Sequence, residues 1–293
     1  ATFGESNDLT TTNNNITAGN NNILINGSNN AVFGTSNSET TSNNSLLSGQ
    51  SNSITASNLI FTQGSSNVIS NTNNSFLSGT NNSEINGDTN NIFGKNQTVG
   101  DSTSVMLSGF NNTISQNHYS NIHGQAHHVK DSSNVSVFGH THKIDSNTSI
   151  LATGYLHDIS GNTKQSLISG YNHKENDGQN NATFGSSQTI KSTSNTITSG
   201  LSNNTTTTTH SGIIGENNTA TTVNDTLITG KNNTVSNNNY SFIAGINHNE
   251  TGGNANTLLG ENQTSTTSNN TTVNGKDNTI LNENNSLLTG DTN

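Results

Sequence analysis

The sequence predicts an all-β fold, a parallel β-roll (β-solenoid) of about 20 coils, and three observations carry that prediction. Glycine returns every 15 residues from Gly4 to Gly154 and, after one step of 16, every 15 again from Gly170 to Gly290. Only 25% of the chain is hydrophobic, a share typical of disorder, yet its apolar residues fall in the same slots of every unit. The third residue after the glycine is Asn, Gln or His in all 20 units. A short unit that repeats without a break cannot bury its apolar side alone and is stabilised by stacking on its neighbours.

The residues preceding each glycine define the first strand. Two before it stands an aliphatic residue in 15 units, including Val32, Leu47, Leu77, Ile92, Leu107, Ile168 and Leu288, with threonine in the other five. The slots three before and one before share the opposite face, because strand side chains alternate, and they compensate for each other. Leu46, Phe61, Phe76, Met106, Leu167, Phe242 and Leu287 fill the first of them, whereas Phe33, Phe93, Phe138 and Phe184 fill the second where the first is small. One bulky group per rung is what close packing demands, since overfilling costs on the order of 1–3 kcal/mol.

Five residues after the glycine runs a second column, including Leu9, Leu24, Ile54, Ile69, Val99, Ile114 and Ile280, flanked mostly by Thr, Ser, Asn, Lys or Asp. That alternation predicts a strand buried on one face and wet on the other. Glu39, Glu84, Glu175 and Glu250 interrupt this column and are expected to swing outward at local kinks, since a buried carboxylate would need a partner. Between the strands, the Asn, Gln or His three after the glycine reads as a turn residue tolerant of left-handed backbone, and it could also form a side-chain ladder along the stack. The extra residue of the 16-residue step falls around Asn162 to Gln165, in the opposite turn.

Two strands and two turns per coil make a thin roll, its interior filled by the column two before the glycine facing the column five after. The compensating Phe and Leu slots then point outward, toward a partner; the alternative is that the other apolar column faces the partner. Such a stripe exceeds the apolar surface a monomer ordinarily exposes, and burying each side chain is worth roughly 1.5–3 kcal/mol. The chain is therefore expected to self-associate.

Asn44-Ser45-Leu46-Leu47-Ser48-Gly49, Asn74-Ser75-Phe76-Leu77-Ser78-Gly79 and Asn285-Ser286-Leu287-Leu288-Thr289-Gly290 resemble the Asn-Ser-apolar-apolar-x-Gly repeat of YadA-like heads, which belong to the trimeric autotransporter adhesins of Gram-negative bacteria. The resemblance covers residues 1–293 as a single head domain. It implies a left-handed β-roll, a homotrimer and a bacterial cell-surface location with anchorage in the outer membrane through regions absent here. It also implies attachment to a host cell-surface receptor or an extracellular-matrix protein: collagen, fibronectin or a receptor of the carcinoembryonic-antigen-related class. The chain departs from the family in its Asn content, its low Ala content and a period of 15 in place of about 14, and it carries neither the stalk heptads nor the anchor barrel.

Departures from the repeat mark candidate binding residues. Phe110, His140, Tyr155, Tyr171, Leu201 and Ile246 directly follow their glycines, in a slot that is otherwise polar, and are expected to form a broken stripe on an exposed turn edge that holds the partner. His118 to Lys191 contains eight of the ten His and five of the eight Lys. Stacked imidazoles could sense pH or bind metal, but no carboxylate or thiolate completes a metal geometry, so no metal or cofactor is expected.

The net charge of −10 and the absence of arginine argue against nucleic acid. The lack of cysteine excludes disulfides, and no apolar run is long enough to span a membrane. With no signal peptide at residue 1, a soluble segment of a longer protein is expected. Dispersed acids without a cleft predict no enzyme. Two other functions fit a flat repetitive roll: ice binding, through Thr219-Ala220-Thr221 and Thr264-Ser265-Thr266 on the wet strand, and passive display of another domain. Against the first, Lys130, Lys143, Asp145, Asp158, Lys174 and Lys191 stud the same strand face.

Overall fold

The computed structural model describes residues Ala1–Asn293, which cluster into two compact units, Ala1–Asp145 and Ser146–Asn293. The chain is all-β without helix, a parallel β-solenoid of about 19 turns of about 15 residues. In the first unit, five-residue strands from Ile16–Asn20 to Ser136–His140 stack in parallel as sheet A, preceded by Thr2–Phe3. Each beat glycine pairs with the next, as in Gly19↔Gly34 and Gly34↔Gly49. Three-residue strands from Asp8–Thr10 to Lys143–Asp145 stack as sheet B. The second unit repeats the plan, with sheet A strands from Leu151–Tyr155 to Leu287–Asp291 and sheet B strands from Asp158–Ser160 to Thr279–Leu281.

A third ladder, absent from the two-strand coil expected from sequence, closes each turn. Single parallel bridges link Asn13↔Ser28, Asn43↔Asn58 and His118↔Ser133 in the first unit, and Thr148↔Lys164 and Asn269↔Asn284 in the second. The coil therefore has three sides and a wider interior. Val32 and Leu47 from sheet A and Leu24 and Ile54 from sheet B are buried as expected, but so, in most coils, are the eighth and eleventh residues after the glycine, exemplified by Ser57, Thr72, Ser45 and Ile60.

Much of this interior is polar, and its hydrogen bonds show how so hydrophilic a chain folds. Ser57 Oγ donates to the Thr55 carbonyl at 2.7 Å and accepts the Thr72 amide at 3.2 Å. Asn30 Oδ1 accepts the Ser45 amide at 2.9 Å, while its Nδ2 donates to the Ser42 carbonyl at 2.8 Å. Buried polar groups paired in this way avoid the desolvation cost of an orphaned donor or acceptor.

The corner geometry corrects the turn assignment. The left-handed residues are the second, seventh and tenth after the glycine, such as Ser36, Thr41 and Asn44 with φ of 57°, 55° and 56°. The third slot is Asn, Gln or His because it is an interior ladder. Asn37 Nδ2 donates to the Gly49 carbonyl at 2.9 Å, and its Oδ1 accepts the Asn52 amide at 3.1 Å. The beat glycine itself is dictated by the stack: Gly49 has φ 121°, and a Cβ there would lie 1.9 Å from the Gly64 carbonyl oxygen. The extra residue of the long coil sits at the start of the expected stretch, at Gly161 and Asn162 with φ of 73° and 65°. Thr163 then resumes the interior register, its amide donating to Asn147 Oδ1 at 2.9 Å.

The four glutamates do not swing outward. Glu39, Glu84, Glu175 and Glu250 are all buried at the centres of sheet B strands. Three of them sit in a common cassette. A serine nine residues earlier and an asparagine six later hydrogen-bond the carboxyl Oε1: Ser75 at 2.8 Å and Asn90 at 2.8 Å on Glu84, Ser166 at 2.7 Å and Asn181 at 2.9 Å on Glu175, and Ser241 at 3.4 Å and Asn256 at 2.6 Å on Glu250. Three residues after each stands Gly87, Gly178 or Gly253, where a Cβ would meet that same oxygen at 2.2, 2.1 or 2.7 Å. Missing side-chain volume, and not a kink, accommodates the acid.

Candidate functional site

The outward face of sheet A carries the bulky groups of the compensating slots. Leu46, Phe61, Phe76, Asn91 and Met106 follow one another in register, and the Phe61 and Phe76 rings stack with centroids 4.6 Å apart. Where the column reaches Asn91, the bulk moves to Phe93, whose ring lies 5.1 Å from that of Phe76. None of these residues enters the core. Phe93 is 40% exposed, Phe33 and Phe138 38%. In the second unit Leu167, Phe184 and Phe242 are also exposed, as is Leu287 on the last sheet A strand.

The six candidate binding residues are not on a turn edge. Each is the last residue of its sheet A strand, Phe110 of Met106–Phe110 and Tyr171 of Leu167–Tyr171 among them, so they form the margin of the face that carries the packing residues. Tyr155 and Tyr171 are brought together, their rings parallel to within 2° at 5.5 Å. Phe110 and His140 are separated by Gln125. The Lys95 ammonium lies 5.8 Å from the Phe110 ring centroid, and the Thr141 hydroxyl bonds His140 Nδ1. Leu201 pairs with Ser186 and Glu216, and Ile246 with Lys231 and Glu261. The flanking Lys231–Glu216 and Lys276–Glu261 ion pairs, at 3.1 and 3.7 Å, make this part of the margin charged.

The interior holds the perturbed titratable groups. Burial pushes Glu39 up to about 8, the nearby Ser45 hydroxyl offsetting only part of the shift, and pushes Glu84 up to about 7 against the hydrogen bonds from Asn90 and Ser75. Glu175 and Glu250 are raised for the same reason. Oε2 of Glu84, Glu175 and Glu250 has no partner, so the neutral acid is the form the interior favours. The histidines of the third slot move oppositely: burial lowers His127 and His173 to about 4 and also lowers His157 and His248. Their ring nitrogens take over the two roles of asparagine. His173 Nε2 faces the Ser169 carbonyl at 3.0 Å, and its Nδ1 accepts the Gln188 amide at 3.2 Å. With both nitrogens engaged, no lone pair on that ring is left for a metal ion.

Reading the sequence column by column missed the glutamate cassette, although its signature, Ser, then Glu nine later, Gly three further and Asn three beyond that, recurs around Glu84, Glu175 and Glu250.

Fold and faces together define the class, a parallel β-solenoid with an apolar outward sheet. No protein-family model matches the chain, and no curated protein does. Among solved structures, the chain is similar to a putative acetyltransferase from Desulfovibrio desulfuricans G20, at 8% identity over 83% of this chain and 67% of that one, with a TM-score of 0.15. It is also similar to the polysialic acid O-acetyltransferase OatWY, at 11% identity over 80% of this chain and 84% of that one, with a TM-score of 0.09. These neighbours are enzymes, and the expectation that the chain is no enzyme is withdrawn on that account. At such TM-scores the likeness carries no argument for an activity.

Proposed function

We propose that the chain is a head segment of a bacterial surface adhesin of the trimeric autotransporter class, a left-handed roll that assembles through the outward face of sheet A. In this reading the strand-end margin, above all Tyr155 and Tyr171, holds a host receptor or matrix protein. The observation that carries the reading is the run of exposed and half-buried apolar groups on the outward face of sheet A, Phe61 stacked on Phe76 among them, a larger continuous apolar surface than monomers ordinarily leave to water. The Asn-Ser-apolar-apolar-x-Gly repeats supply the class. A trimer closed through the compensating slots would place the margin at the rim of its interface, where aromatic anchors remain reachable.

Sedimentation equilibrium should give three times the 30.6 kDa chain mass, and a Phe61→Ala, Phe76→Ala, Phe93→Ala variant should dissociate while keeping its β circular dichroism. A folded wild-type particle of one chain mass would sink the assembly. Immobilised collagen, fibronectin and a carcinoembryonic-antigen-related receptor domain should be screened by surface plasmon resonance. A Tyr155→Ala, Tyr171→Ala variant that binds any responding ligand as well as wild type would remove the margin from the proposal.

A further inference from the structure

Sheet B of the second unit carries a second outward face of different chemistry. Its charges, Asp158, Lys174 and Lys191, all lie on the first three strands, Asp158–Ser160, Lys174–Asn176 and Thr189–Lys191. From Asn204–Thr206 onward the outward positions contain no charge. The first of the two positions reads Asn204, Thr219, Thr234, Asn249, Thr264, Thr279 in consecutive parallel register, and the second reads Thr206, Thr221, Ser236, Thr251, Thr266, Leu281. The residues between them, including Ala220, Val235, Ser265 and Ile280, are buried and fix the rows to the core. The charged residues that argue against a water-ordering surface in the sequence thus lie outside this patch.

Geometry makes the patch a two-dimensional lattice. Parallel rungs repeat about every 4.8 Å, and outward neighbours along a strand lie about 6.6 Å apart, both close to oxygen repeats of hexagonal ice. At eight of the twelve positions threonine places a hydroxyl and a methyl group, and its stiff χ1 pre-orders those points of the array. Along the second row, Ser236 Oγ donates to Thr251 Oγ1 of the next coil at 3.4 Å, the one bond that ties hydroxyls of the array to each other. Lysine or aspartate would hold water radially around a charge, whereas this surface offers only neutral donors, acceptors and methyl groups at fixed intervals.

We infer that the face formed by residues 204 to 281 of sheet B binds ice, adsorbing to an ordered water lattice through its two uncharged, mainly threonine rows. The inference is independent of the adhesin proposal, which uses the outward face of sheet A. Full-length protein should show a freezing-point hysteresis in nanolitre osmometry and should slow ice recrystallisation in sucrose solution. Thr234→Lys with Thr264→Lys, both outward and clear of the core, should abolish both effects while leaving circular dichroism and the unfolding midpoint unchanged. Thr→Ser at the same two positions keeps the hydroxyls and removes the methyl groups, and should reduce the effect at least several-fold. Absence of hysteresis and recrystallisation inhibition in the wild-type chain overturns the inference, as does a folded double-lysine variant with undiminished activity.

Discussion

His127 Nδ1 accepts the backbone amide of His142 at 3.2 Å, and the two rings stack 5.0 Å apart and parallel to within 2°. An amide pointing at Nδ1 requires a lone pair there, and Nε2 must then donate to the His123 carbonyl, 3.1 Å away. The ring copies the asparagine it replaces only while neutral. Protonation would set two donors face to face.

The first prediction follows. His127 is held near 4 in the fold, against about 6.5 in an unfolded chain. The unfolded state therefore binds the proton first, and stability falls as pH drops from about 6.5 to about 4. His127→Asn, which restores the residue of most rungs, should leave urea stability near pH 7.5 within about 1 kcal/mol and raise it by about 2 kcal/mol at pH 4.5. Parallel wild-type and variant curves across that range would refute the neutral-ring ladder.

The glutamates act with the opposite sign. Glu39 titrates near 8 in the fold and at 4.5 when free, so the folded state holds its proton longer. Its contribution is intact below 4.5 and declines by about 1.4 kcal/mol per unit as pH rises toward 8. Glu39 pairs with Leu24 and Ile54 in an apolar column, and Glu39→Ile should flatten that decline. Urea titrations at pH 5 and pH 8 check it: an unchanged difference between the two pH values would place the carboxyl in water.

Two glycines separate backbone necessity from coincidence. Gly49→Ala forces a Cβ to within 1.9 Å of a backbone oxygen at φ 121° and should cost on the order of 3 kcal/mol or more. At Gly100, the end of a sheet B strand, an added methyl group would have nothing within 4 Å, and Gly100→Ala should stay within about 0.5 kcal/mol. Thermal unfolding of the pair reads the contrast directly, and equal effects would contradict it.

The threonines of the aliphatic column offer a gain. Thr62 is buried in line with Leu47 and Leu77, and its hydroxyl has no partner. Thr62→Val keeps the shape and removes the orphaned group, so stability should rise by about 1 kcal/mol. A loss in urea unfolding would mean the hydroxyl is bonded after all.

Much of the fold was legible because a solenoid gives every residue of a column the same surroundings. The recurrence of Val32, Leu47 and Leu77 therefore identified one buried line, Leu24, Ile54 and Ile69 another, and the trade between Phe76 and Phe93 marked an outward face. The third ladder was not legible: it is made of single bridges such as Asn43↔Asn58, where Asn, Ser, Thr, Asp, His, Lys and Gln interchange and no apolar alternation appears.

By itself the sequence determined the period, the stacking direction and the residues that share a column, since those depend only on repetition along the chain. The tertiary structure decided where each column points. The path around three corners, set by left-handed residues such as Ser36, Thr41 and Asn44, turned the third slot inward as a ladder, kept Glu84 inside beside Gly87, and put Tyr171 on the same face as Leu167. Those outcomes depend on angles and on space left by residues in the same and neighbouring coils, which a string of side chains does not contain.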